Sequence, residues 1–118
     1  MLKNLYLYLT GHQIAQTDHS SLMLHPKVNT TTRIVAVGDS ITEGYCSSDN
    51  KKMAWPAQLM DMLWDNDKYE VINLGLGGRT MMKKGDLPYW NEPFYQKALT
   101  SEADVVVLML GTNDSKFY

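Results

Sequence analysis

The chain has 118 residues, which suits one domain with a modest core. Eleven basic against thirteen acidic residues leave a formal charge of −2 with no basic block, so nothing resembles a nucleic-acid footprint. The single cysteine, Cys46, excludes an internal disulfide and any multi-cysteine metal site; no histidine follows it, and it reads as an unpaired loop thiol rather than a nucleophile.

Residues 1–31 read as an amino-terminal extension or linker, and 32–118 as the folded part. The apolar run Leu5-Tyr6-Leu7-Tyr8-Leu9 is shorter than the about seven to fifteen residues of a secretory core and far shorter than a membrane span. It reads as a poor signal peptide, a short strand belonging to something upstream, or a disordered tail. From Gly11 to Thr32 the chain is rich in Ser, Thr, His and Asn around Pro26, the composition of a linker. His12, His19 and His25 lie here at spacings that match no common zinc motif, and no metal site is expected. Asn29-Thr30-Thr31 fits a glycosylation acceptor, but so does Asn113-Asp114-Ser115, so the pattern carries little weight.

Ile34-Val35-Ala36-Val37 predicts a buried strand that stops at Gly38-Asp39-Ser40, placing the Ser40 hydroxyl just past its carboxyl end. Open parallel sheets bind their ligands there. A polar loop, Tyr45 to Lys52, leads into a helix over 54–65 with Pro56 in its first turn. Trp55, Leu59, Met62 and Leu63 are expected to face the sheet, with Gln58, Asp61 and Asp65 outward.

A second strand, Tyr69 to Asn73, runs into the glycine-rich turn Leu74-Gly75-Leu76-Gly77-Gly78-Arg79-Thr80. Counted from Gly75, a dinucleotide fingerprint needs Gly or Ala where Thr80 stands, so a Rossmann reading fails. Thr42 likewise stands where a nucleophile elbow around Ser40 needs its second glycine. A long connection over 81–93 contains Tyr89 and Trp90, and a second helix over 92–100 turns Phe94, Ala98 and Leu99 inward. Ala103 to Leu110 predicts a third, almost wholly apolar strand ending at Gly111-Thr112-Asn113-Asp114. Strand ends roughly thirty residues apart are the spacing of βαβ units, which brings three polar turns to one sheet edge.

Gly38-Asp39-Ser40, Gly78 and Gly111-Thr112-Asn113-Asp114 resemble, in order and spacing, the first three sequence blocks of the SGNH (GDSL-type) esterase superfamily. Met82 to Trp90 and Met109 to Lys116 are similar to its sialate or carbohydrate O-acetylesterase-like branch. The resemblance implies a three-layer α/β/α, flavodoxin-like fold with a parallel sheet in strand order 2-1-3-4-5, of which this chain holds the first three strands. The third strand is then expected to have a bare apolar edge.

The resemblance also implies chemistry. Ser40 becomes the nucleophile of a serine esterase, and its own N–H, the Gly78 N–H and the Asn113 amide become the oxyanion hole. Asp39 and Asp114 are read as turn formers. Arg79 either contacts a polar substrate or forms a surface salt bridge; Tyr89 and Trp90 either wall an acyl or sugar pocket or pack the loop on the sheet. The expected substrate is an acetyl or other short acyl ester, small or on a carbohydrate, with no cofactor and no membrane span. The family takes its base from a carboxyl-terminal Asp-x-x-His pair, yet no histidine follows Ser40, so the chain looks like the amino-terminal part of such an esterase. Two readings from other classes remain: a binding module that has lost the base, and a flavodoxin-like phosphate or nucleotide binder.

Overall fold

A computed structural model of the chain describes residues 24–116, so the Leu5–Leu9 run, His12 and His19 lie outside the described residues. Three strands, β1 (Thr32–Gly38), β2 (Tyr69–Gly75) and β3 (Val105–Met109), form a parallel sheet in the order β2-β1-β3. This is the α/β architecture and strand order that the sequence blocks imply. Among the described residues four α-helices accompany it: α1 (Ser40–Glu43), α2 (Asn50–Met53), α3 (Trp55–Leu63) and α4 (Pro93–Leu99). The first two are turn-length helices inside what the sequence read as polar loop.

With β1 central, the chain crosses once to each side of it, and right-handed crossovers then put α3 and α4 on opposite faces. Val35, Val37, Ile72 and Leu74 alternate toward one face, where they pack with Tyr89 and with Phe94 of α4. The intervening positions, including Asn73, Gly38 and Gly75, look toward α1 on the other face.

Two inward faces differ from expectation. In α3 the buried residues are Pro56, Ala57 and Met60, while Met62 is 69% exposed. Nearly every α3 position is apolar, so the pattern does not choose a stripe. In α4, Phe94 is buried and Ala98 packs on the core, but Leu99 is exposed and the charged Lys97 is buried instead.

Residues 24–31 lie along the amino ends of the strands rather than trailing away. Leu24 packs against the core, Lys27 pairs with Asp104, and buried Arg33 donates to the carbonyls of His25 and Ser101 and pairs with Glu70. At the other side of the sheet, all five residues of β3 are exposed; Val106 is 55% exposed. Among the described residues no further strand pairs with it, the apolar edge that the sequence predicted.

Candidate active site

The site is built where β1 and β2 end. β1 must turn at once into α1, and α1 crosses directly over both strand ends. A Cβ on Gly38 would lie 2.0 Å from Thr42 Oγ1, and one on Gly75 would lie 2.2 Å from the backbone N of Glu43. Only residues without a side chain allow this approach. Asp39, 1% exposed, caps α1 by accepting the Ile41 N–H at 3.0 Å, so the carboxylate fixes the turn that presents Ser40. Underneath, the buried Asn73 amide donates to the Thr42 carbonyl and accepts from the Gly75 N–H, both at 2.8 Å, which locks α1 to the end of β2. The Trp55 indole donates to the Thr42 hydroxyl from the side of α3.

The turn after β2 is held against α1 and against the turn after β3. Glu43 Oε2 accepts the Gly77 N–H at 2.8 Å, and a Cβ on Gly77 would stand 3.6 Å from the Ser40 Cβ. Gly78 follows with φ +77, in the left-handed region. Arg79 donates to the Gly77 carbonyl at 2.7 Å and forms a salt bridge with Glu92 at 3.0 Å. From the third turn, Asn113 Nδ2 donates to the Arg79 carbonyl at 3.0 Å, and the Asp114 carboxylate accepts the Met81 and Met82 N–H groups. These backbone donors, that of Met81 first, hold the Asp114 carboxyl below the usual carboxylate range.

Ser40, Gly78 and Asn113 thus come together at one edge, as the spacing of three neighbouring strand ends requires. Asp114 also bridges two turns through the Met81 and Met82 N–H groups. Arg79 is engaged by Glu92, the salt-bridge alternative of its two readings. Tyr89 is fully buried, its hydroxyl donates to the Leu74 carbonyl, and burial raises its phenol pKa; its ring packs the core and does not wall the crevice. Trp90 donates to the Met81 carbonyl and meets Tyr95 edge to face at 5.2 Å. It borders a cavity of about 500 Å³ with Asn91, Gln96, Lys97 and Thr100, whose lining includes none of Ser40, Gly78 and Asn113.

Among the described residues the single histidine is His25, beside Arg33 at the opposite end of β1 from Ser40, and no group hydrogen-bonds to the Ser40 hydroxyl. No cluster of three or more potential metal ligands occurs among them, and no helix is long and apolar enough to cross a membrane. Cys46 is an exposed free thiol. Sequence reasoning passed over Glu43 and Asn73. For Asn73 a signal was present, a lone amide inside an otherwise apolar buried strand; for Glu43 there was none.

The fold is thus a parallel α/β sheet with three polar turns gathered at one edge. The chain belongs to the GDSL-like lipase/acylhydrolase family, whose profile matches residues 36–118. It is similar to an acetylxylan esterase of Xylanibacter ruminicola, 48% identical over 84 residues that make up 71% of this chain and 17% of that protein. The chain therefore spans under a fifth of that relative's length.

Proposed function

We propose that residues 32–118 carry the nucleophile and oxyanion hole of a serine esterase that removes acetyl groups from a carbohydrate, a xylan-type polysaccharide being the first substrate to test. The observation that carries this is the 3.6 Å approach of the Gly77 position to the Ser40 Cβ, which sets the glycine turn beside the hydroxyl. The relative's name supports the substrate class.

In this reading Ser40 Oγ attacks the ester carbonyl as its proton passes to a base. The carbonyl π pair moves onto oxygen, and that oxyanion accepts from the Ser40 N–H, the Gly78 N–H and the Asn113 amide. Collapse breaks the bond to the sugar oxygen, which leaves with the proton, and water then frees acetate from Ser40. Loss of one oxyanion donor typically costs about a hundred- to a thousand-fold in turnover. The described residues bring no imidazole to Ser40, so the reading assigns the base to a group outside them.

The test is acetate release from acetylated xylo-oligosaccharide with imidazole added as an external base, and Ser40→Ala as the blank. Release above the blank supports the esterase. Saturable binding of the oligosaccharide with no release favours the second reading, a binding module without the base.

A further inference from the structure

We infer that Glu43 and Arg79 are positioning residues that together aim the Gly78 N–H at the oxyanion; the inference rests on the reading of Ser40 as nucleophile. The problem they solve is set by the sequence. Gly77-Gly78 is the most permissive dipeptide a chain can place at a site, and an oxyanion donor is useful only if its direction is fixed before the charge develops. Side chains other than those two residues' own must therefore hold both peptide planes.

Each plane has one such clamp. The peptide joining Leu76 to Gly77 is held through its N–H, which donates to Glu43 Oε2 at 2.8 Å. The next peptide, joining Gly77 to Gly78, is held through its carbonyl, which accepts from Arg79 Nη1 at 2.7 Å. A trans peptide is planar, with its C=O and N–H pointing in opposite directions, so fixing the Gly77 carbonyl fixes the Gly78 N–H as well.

The two clamps are themselves anchored. Glu43 is the last residue of α1, which begins at Ser40, so the nucleophile and the first clamp move as one unit. Its carboxylate has no ion-pair partner among the described residues, and its Oε2 is spent on a backbone N–H. Arg79 is fixed by Glu92, whose carboxylate takes both Nε at 3.1 Å and Nη2 at 3.0 Å. With its guanidinium turned to Glu92 and to a backbone carbonyl, Arg79 orients the hole instead of contacting substrate.

The test uses the whole chain and an alkyl fluorophosphonate, with imidazole added to take the Ser40 proton. The Ser40 Oγ–P bond forms, fluoride leaves, and the phosphoryl oxygen occupies the hole. Mass-resolved kinetics separate the inactivation rate constant from the probe's half-saturation concentration. Glu43→Ala and Arg79→Ala are expected to lower the rate constant about tenfold or more with half-saturation unchanged, a part of the full loss of a donor. Glu43→Gln, which keeps an acceptor oxygen, is expected to stay within about threefold of wild type; circular dichroism confirms folding.

Alanine variants that label at the wild-type rate would overturn the clamp and leave the esterase reading standing. A change confined to half-saturation in Arg79→Ala would make it a substrate contact and overturn its positioning role. A folded wild type that never labels would overturn the reading of Ser40 and the clamp together.

Discussion

Replacing Lys97 by Met should stabilise the protein, and the size of the gain should depend on pH. Lys97 is 4% exposed, and its Nζ is buried with no hydrogen-bond partner among the described residues. Burial alone lowers its pKa from 10.5 to about 8. That displacement, at about 1.4 kcal/mol per pH unit, puts the cost of the folded ammonium at about 3.5 kcal/mol as an upper bound. Water in the adjoining cavity screens part of it, leaving an expected gain of about 1–2 kcal/mol for Met, which has a similar unbranched stem. Because the folded state prefers the neutral amine, the cost is absent above pH 10.5, grows as pH falls from 10.5 to 8, and is constant below. Urea denaturation of both proteins at pH 7 and pH 10.5 reads this directly. A Met variant less stable than wild type at pH 7, or an advantage unchanged across that window, would refute the reasoning.

Gly75→Ala should destabilise by about 1–3 kcal/mol in urea denaturation and slow fluorophosphonate labelling of Ser40, because the new methyl meets the rigid backbone of Glu43. Asp114→Ala should speed amide hydrogen exchange at Met81 and Met82 with little loss of global stability, since the carboxylate ties two exposed turns and covers no core. Its folded pKa lies below the ordinary 3.8, so the tie holds above that value and is lost as pH falls through the lowered one. A carboxyl carbon titration of Asp114 centred at or above 3.8 would contradict this.

How much of this could be read from residues alone differs from element to element. β1 and β2 were readable because a Val/Ile run stopped by glycine has few other meanings, and the crossover spacing pointed to parallel βαβ units, while the place of β1 between its neighbours came from the resemblance to the esterase blocks. The inward stripe of α3 was not, since apolar residues occupy almost every position. Lys97 reads as surface in any hydropathy pattern, yet its methylene stem packs like an apolar residue. Tyr89 and Trp90 are adjacent on one 3₁₀ turn, so their side chains diverge, Tyr89 into the core and Trp90 along the loop.

The site divides the same way. Ser40 follows from its place at a strand end, and Gly78 and Asn113 were picked out of the neighbouring turns by the resemblance to the esterase blocks. The contacts that tie those turns together were not legible, because Glu43 reaches Gly77 across 34 residues and Asp114, read only as a turn former, reaches Met81 across 33, and no local period relates such positions. Close packing of α1 on two strand ends sets these contacts.

The central claim is that Ser40 sits in a preformed oxyanion hole and needs only a base. Intact-mass measurement after exposure to an alkyl fluorophosphonate, with and without imidazole and with Ser40→Ala as control, tests it most directly. The account predicts one adduct on the folded wild type whose rate rises with imidazole concentration, and none on Ser40→Ala. A folded chain that takes up no probe at any imidazole concentration, or labels equally in the control, would contradict it.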